Sequence, residues 1–418
     1  MSAPRINQQN RRALDWMNFF LADVRDGVGP YLAIFLAASH NWSAGDIGIV
    51  MGAMGIATGF SQFIAGRITD ATSRKRALLA TSSLLIGIAC PLMALYPSFG
   101  VVLLCQIVIG ASAAFVVPGI SAITLGLSGY RGFSAATGRN QVFNHAGNVV
   151  AAIIAGVIGH FIAREMIFWM VALWSVFSLL SILAIRAADI NPVLSRGIEV
   201  AGDGGRTNGS TASDTAAAVP ASNNSLRDLL TNRQVLWFAL VVALFHFGNA
   251  AMLPLVGQKL SALTANEGAA LWMSACIVLA QLVMIPFAHY SGKLSERYSH
   301  KWIFLVALVV LPIRGLIFTF ADTPALLLAG QLLDGVSAGI FGVMWVLIVA
   351  NITRNSGFYG TALGLINTAH MIGFFLSQTT SGFVIDYFDS YGAGFLYLSV
   401  IAVLAIVVHV LFVNDKRA

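Results

Sequence analysis

Gly66-Arg67-Ile68-Thr69-Asp70, followed by Arg74-Lys75-Arg76, closes the second long apolar run of this chain. Gly292-Lys293-Leu294-Ser295-Glu296-Arg297, followed by His300-Lys301, closes another apolar run about 225 residues further along. Glycine, acid and lysine keep their spacing: Gly66, Asp70 and Lys75 against Gly292, Glu296 and Lys301. The repeat extends well beyond these loops. Gln106-Ile107-Val108-Ile109-Gly110 recurs as Gln331-Leu332-Leu333-Asp334-Gly335, and Gly132-Phe133 and His145 recur as Gly357-Phe358 and His370, all at an offset of 225. Matches held at nearly one offset imply two halves that fold alike.

Composition names the solvent of those halves. Of 418 residues, 57% are hydrophobic and 10% charged, and the mean hydropathy is +0.80. A soluble domain carries about 25% charged residues, so this chain reads as an integral membrane protein with lipid around it. The net charge of +6 sits in loops between apolar runs and does not point to nucleic acid. Cys90, Cys105 and Cys276 all fall inside apolar runs and offer neither metal-ligand spacing nor a disulfide framework. The polar, basic start Met1–Arg12 leads into a long run containing Asp23, Arg25 and Asp26 with no small-residue cleavage site, which reads as a retained first span.

Runs long enough to span a bilayer, about 20 residues, lie near 14–38, 45–66, 77–96, 99–127, 140–163 and 167–187, then 233–256, 268–290, 302–320, 324–350, 360–383 and 391–413. The expected fold is therefore all-α, with twelve transmembrane helices in two pseudo-symmetric six-helix bundles, residues 1–187 and 233–418. The glycine-rich, polar stretch between them, within 188–232, reads as a cytoplasmic flexible linker. With both termini inside, nearly all loop Arg and Lys fall on the inner side and only Arg164 and Lys259 on the other. That asymmetry predicts cytoplasmic termini, and the reading is a bacterial inner membrane.

Gly66-x-x-x-Asp70 with Arg74-Lys75-Arg76 between spans 2 and 3, echoed between spans 8 and 9, resembles the loop signature of the major facilitator superfamily. The resemblance covers essentially the whole chain. It implies alternating access by two rocking halves, and a cytoplasmic latch made by Gly66, Asp70, Arg74 and Lys75 with Gly292, Glu296, Arg297 and Lys301. Three departures stand out: Ser73 replaces a family glycine, Gln106 stands where drug–proton antiporters resembling this chain carry an arginine, and no proline follows Gly147 or Gly156.

An ionisable side chain inside a span costs about 2.5–3.5 kcal/mol on insertion scales, and so faces a cavity or a partner. Asp23, Arg25 and Asp26 lie near the middle of span 1, before Gly27, Gly29 and Pro30, which predict a kink. Asp23 and Asp26 share a face, whereas Arg25 on an ideal helix points about 100° from Asp26. The cluster reads as a substrate or proton site, or as an internal pair that fixes packing. Gln141, Asn144, His145 and Asn148 form one polar stripe on span 5, able to bind a solute or to hydrogen-bond a neighbouring helix. His246 and Asn249 on span 7, and Asn367, His370 and Gln378 on span 11, extend the set, and His145 and His370 are repeat equivalents. Asp334 has Ile109 as its counterpart, so an acid breaks the symmetry there. Trp345 is the tryptophan best placed to stack on a solute. Arg314 in span 9 either snorkels or pairs.

No phosphate loop, nucleotide motif or metal cluster is present in the sequence, so the chain reads as a non-enzyme without a cofactor. The expected activity is secondary active transport of a small polar or amphipathic solute by a monomer. Coupling to protons through Asp23, Asp26, Asp334 and the histidines is expected, with efflux of a drug, metabolite or siderophore-like compound. Proton-linked uptake of a nutrient is the alternative, and a non-transporting sensor or scaffold is the third reading.

Overall fold

The computed structural model describes residues 6–26, 28–196, 231–265, 267–295, 297–353 and 359–414. The expected linker lies mostly outside the described residues. All regular structure among the described residues is helical. In the first half these are α1 (Gln8–Arg25), α2 (Pro30–His40), α3 (Ala44–Ala71), α4 (Lys75–Leu95), α5 (Phe99–Ala113), α6 (Val116–Phe161) and α7 (Met166–Ala184). The second half holds α8 (Arg233–Asn249), α9 (Met252–Leu263), α10 (Ala269–Ser295), α11 (His300–Phe320), α12 (Pro324–Ile352), α13 (Tyr359–Phe388) and α14 (Tyr391–Phe412).

Ten stretches are long and apolar enough to cross a membrane. These already count the two crossings of α6 separately, and two further assignments, spans 1 and 11, bring them to the twelve spans expected from the sequence. α6 runs through two crossings, Phe99–Gly129 (with α5) and Arg139–Phe161, separated where Gly129 adopts φ 62, ψ 173. Span 1 is shared by α1 and the short apolar α2. Span 11 is α13, whose face of Asn367, His370, Ser377 and Gln378 makes it less apolar than its neighbours. Where spans begin, short polar side chains cap them. Asn232 accepts from the Gln234 and Val235 amides, Thr323 from Leu326, and Ser390 from Ala393, so orphan N–H groups near lipid are satisfied.

Tertiary contacts divide the chain into two compact units whose borders differ from the sequence halves. One comprises Met1–Val28, Phe60–Ala151 and Ile167–Pro220. Within it α6 comes so close to α1 that a Cβ on Gly147 would stand 2.0 Å from the Phe19 carbonyl oxygen. Ser83 and Ser175 join α4 to α7 at 3.1 Å, and Asp15 joins α1 to Arg139 of α6.

The other unit comprises Gly29–Gly59, Ala152–Met166 and Ala221–Ala418. It therefore includes the later part of span 1, the first part of span 2 and the last part of span 5. There α2 packs on α9 and α10. Tyr31 Oη meets Ser274 Oγ at 2.6 Å and donates to the Ala152 carbonyl at 3.2 Å. The Asp386 carboxylate accepts the Ala44 and Gly45 amides, at 2.9 and 2.7 Å, in the first turn of α3, where a negative charge is favoured. Gly373 of α13 repeats the device of Gly147: a Cβ there would lie 2.1 Å from the Ala243 carbonyl oxygen of α8.

These close approaches give a direct check on the packing. Gly373→Ala is expected to cost about 1–3 kcal/mol through overpacking, lowering the melting temperature of the detergent-purified protein. Gly364→Ala, on the same helix with nothing within 4 Å of the new methyl, is expected to leave it unchanged. Equal shifts for the two variants would contradict the packing described.

Candidate functional site

Span 7 is continuous in composition but interrupted in structure. Its helical ladder opens at Ala250 and Ala251, between α8 and α9. The cause is Pro254, which has no N–H to offer the Ala250 carbonyl four residues earlier. In lipid that oxygen needs another donor, and Gln378 Nε2 supplies one at 3.0 Å. The freed Ala251 N–H donates to Ser377 Oγ at 2.9 Å. Adjacent side chains of α13 thus complete the backbone of span 7. Span 1 breaks at the corresponding place in the repeat. α1 ends at Arg25, Gly29 takes φ 52, ψ −136, and α2 begins at Pro30, as Gly27, Gly29 and Pro30 predict.

Arg314 of α11 binds both sides of the span 7 break. Its side chain is buried, with the residue 1% exposed. Nη1 pairs with the Asp334 carboxylate of α12, Nη2 donates to Asn249 Oδ1 at 2.9 Å, and Nε reaches Met252 Sδ at 3.3 Å. One planar fork therefore joins α11 and α12 to the last residue of α8 and the first of α9. Guanidinium suits this position because its donors are rigidly spread and it stays charged. Arg314 can only donate, so Asn249 must present its oxygen to it and turn its NH2 group away. Asp334 engages Arg314 through Oδ1 alone among the described residues.

Beside this hub lies a cluster of rings from three helices. His246 of α8 and His370 of α13 stack with centroids 3.4 Å apart. Phe341 of α12 stacks on Phe245 at 4.5 Å and receives His246 edge-on at 4.8 Å. Trp345 lies nearly parallel to Phe341, at 15° and 6.5 Å. His246 Nδ1 donates to the Val242 carbonyl at 3.0 Å, leaving Nε2 as an acceptor. The second-half candidates thus fall in two groups linked along α8 and α12: Asn249 and Asp334 on Arg314, and His246, Trp345 and His370 among the rings, with Asn367 one turn before His370 on α13.

In the first half, Asp23 of α1 has a buried carboxylate oxygen, Oδ2, with no hydrogen-bond partner among the described residues. Arg25 does not point away from Asp26, as an ideal helix implies. Its Nε meets Asp26 Oδ1 at 3.0 Å, because α1 stops at Arg25 and Asp26 turns off the helical path. On α6, Asn144, His145 and Asn148 are half-buried, Gln141 is exposed, and His145 Nδ1 is buried without a partner among the described residues.

The loop residues occupy helix ends. The Asp70 side chain and Glu296 lie outside what is described, so the acids of the expected latch are not placed. Gly66 sits in α3 and Gly292 in α10, with nothing within 4 Å of the first as a Cβ site. Arg74 precedes α4, its amide donating to Thr72 Oγ1 at 3.1 Å, and the Arg297 amide donates to the Leu294 carbonyl at 3.0 Å. Lys75 Nζ donates to the Thr69 carbonyl at 2.6 Å, ending α3. Arg76 donates to the Ile182 and Leu183 carbonyls that end α7, and Lys301 to Val410 near the end of α14 at 2.8 Å. These cations neutralise carboxy-terminal dipoles of helices in their own half.

Sequence reasoning passed over two partnerships. Asp15 and Arg139 form a two-pronged ion pair, both contacts at 2.7 Å, between α1 and α6, with the Asp15 side chain only 7% exposed. Arg139 reads as a topology marker, and a lone acid near a span end carries no signal of a partner 124 residues away. Arg314 could be flagged as intramembrane, but its three partners come from elements no local pattern brings together.

The Arg314 hub sets up a cycle of variants. Removing one partner of a buried ion pair costs about 3–5 kcal/mol, whereas apolar replacement of both costs far less. Asp334→Leu and Arg314→Met singly are expected to lower the melting temperature sharply, and the double variant to recover part of the loss. Additive losses would show that the two groups do not depend on each other.

Comparison with known proteins agrees with the architecture. A profile of the Major Facilitator Superfamily matches residues 14–291 and 239–418. An uncharacterised MFS-type transporter of Mycobacterium tuberculosis strain H37Rv is 39% identical over 392 residues, covering 94% of this chain and 90% of that protein. The class B tetracycline resistance protein of Escherichia coli is 27% identical over 134 residues, 30% of this chain and 33% of that one. The crystal structure of the nucleoside transporter NupG superposes with a TM-score of 0.75 over 98% of this chain and 99% of that one at 15% identity, a likeness of fold. The chain belongs to the major facilitator superfamily and is an MFS-type transporter.

Proposed function

We propose that this transporter exports a small polar or amphipathic solute against protons. The observation that carries the reading is the pair of interruptions in spans 1 and 7, at one place in the repeat, each with ionisable groups beside it. Broken helices in corresponding positions of two halves are where transporters place substrate and coupling ions. Asp23 in the first half has an oxygen awaiting a donor. Asp334 in the second half holds Arg314, and through it both sides of the span 7 break. A proton on Asp334 cancels the charge that holds the fork, and a proton on Asp23 removes its charge and turns an unpartnered oxygen into a donor. Each event loosens or completes the neighbourhood of a break, which is the step that links proton arrival to movement. Opening the end opposite the termini then requires α2 to leave α9 and α10, and Asp386 to release the start of α3. The latch residues Asp70 and Glu296, with their basic neighbours, are proposed to do the corresponding work at the cytoplasmic end, with both termini on that side of a bacterial inner membrane.

Efflux is favoured by the similarity to the tetracycline resistance protein. A second reading, proton-linked uptake, is favoured by Gln106, a buried neutral amide at the position where the antiporters that this chain resembles carry an arginine.

Everted vesicles containing the protein, given an acid interior, separate the two. Export predicts accumulation of a transported compound inside, lost on adding a protonophore and lost in Asp23→Asn, while counterflow exchange without a gradient persists. Movement of the opposite sign would establish uptake, and accumulation that ignores both the gradient and Asp23→Asn would refute proton coupling through this residue.

A further inference from the structure

We infer that the seam between α1 and α7 holds one phospholipid with a negatively charged headgroup, in the leaflet nearest the amino terminus. The site lies apart from the interrupted spans and is independent of what the transporter carries and in which direction.

Three observations carry it. First, the seam is hollow at its outer end. A cavity of about 670 Å³ opens there, lined chiefly by Gln8, Gln9, Arg12 and Trp16 of α1 and by Leu180 and Ser181 of α7. Its depth follows from α7, whose apolar crossing ends at Ala184. Gln9 Nε2 donates to the Ala184 carbonyl at 3.3 Å, so the cavity lies where hydrocarbon gives way to headgroups.

Second, polarity changes along the seam in the order of a lipid's parts. Gln9, Arg12, Trp16 and Phe20 follow one another at steps of three and four residues on one face of α1. Arg12 and Trp16 differ in depth by at most about 6 Å of helix rise, which fits one interfacial layer of about 5–8 Å. Tryptophan settles at that boundary. Deeper in, Phe20 stacks on Trp16 at 5.8 Å and meets Trp174 and Phe177 of α7 at 5.4 and 5.2 Å. The seam is uncovered along its length: Trp16 is 51% exposed, Leu180 57% and Leu173 50%.

Third, the charge is unanswered. Arg12 is the one charged side chain lining the cavity among the described residues. It is exposed and makes no hydrogen bond or ion pair among them. Its polar neighbours are committed, Gln9 to Ala184, Asn7 Oδ1 to the Gln9 amide at 3.2 Å, and Asn10 to Asp189 at 2.7 Å. The nearest acid on α1, Asp15, is held by Arg139. A phosphate offers a guanidinium two oxygens in matching geometry. A free anion would leave Trp16 and Leu180 uncovered, and a plain hydrocarbon would leave Arg12 unanswered. A phosphate with acyl chains behind it uses the whole seam.

Native mass spectrometry of the delipidated, detergent-purified full chain tests this. The probes are phosphatidylglycerol and phosphatidylcholine of identical acyl chains, and glycerol 3-phosphate as a headgroup without chains. One phosphatidylglycerol is expected to bind about fivefold more tightly than phosphatidylcholine, the size of one cationic contact near a membrane surface. Arg12→Gln is expected to abolish that preference. Leu180→Glu, which sets a negative charge on the same wall, is expected to do so too and serves if the first variant misfolds. Arg233→Gln, an exposed arginine at the start of α8, is expected to keep it. Equal binding of the two lipids by the native chain, a preference that survives Arg12→Gln or Leu180→Glu, or its loss in Arg233→Gln would overturn the assignment. Displacement of phosphatidylglycerol by an equal concentration of glycerol 3-phosphate would mark an anion site without a lipid, and would overturn it as well.

Discussion

A guanidinium without water around it sets the terms for the second half of this protein. Arg314 is sealed among apolar side chains, and its hydration must be replaced donor by donor. Asp334, Asn249 and Met252 do this, and the replacement has consequences. It holds α12 against α11, it spans the break in span 7, and it orients an amide and a carboxylate that other groups can read. The same demand for satisfied polar groups explains Gln378 and Ser377, which stand in for the backbone partners that Pro254 removes. In a bilayer an irregular backbone survives only where side chains complete it. The break is thus a built feature with its own supporting residues.

The two halves share a plan and diverge in chemistry. Shared are the glycine contacts at Gly147 and Gly373, the basic caps at Arg76 and Lys301, and the broken first span of each half. Divergent are the groups beside the breaks. The first half places an acid, Asp23, with an oxygen unanswered among the described residues; the second places a base, Arg314, answered three times over. A duplicated scaffold makes two equivalent positions available, and here they carry different charged groups.

Much of this was legible in the sequence. Hydropathy and the repeat gave twelve spans with ends close to those observed, because length and apolarity are what the bilayer selects. Gly27, Gly29 and Pro30 announced the break in span 1. The break in span 7 has only Pro254 as its signal, and an apolar run with a single proline looks like an unbroken span. Arg314 was recognised as out of place, but its partners are 20, 62 and 65 residues away, and side-chain pairing at that range has no local pattern. Nor could hydropathy show that segments 29–59 and 152–166 pack with the second half, since it describes each span's contact with lipid and is silent about which helix lies beside it.

The central claim is that Trp345 and His370 open onto an aqueous path inside the second half while Arg314 stays sealed, and the lipid boundary lies elsewhere. Cysteine accessibility in membranes tests it most directly, with Cys90, Cys105 and Cys276 replaced and single cysteines placed at Trp345 and His370, and at Val400 and Leu404, which expose 60% and 46% of their surface on α14. The account predicts that a charged, water-soluble methanethiosulfonate modifies the first pair and spares the second. Modification of the α14 positions with Trp345→Cys and His370→Cys inert would contradict it.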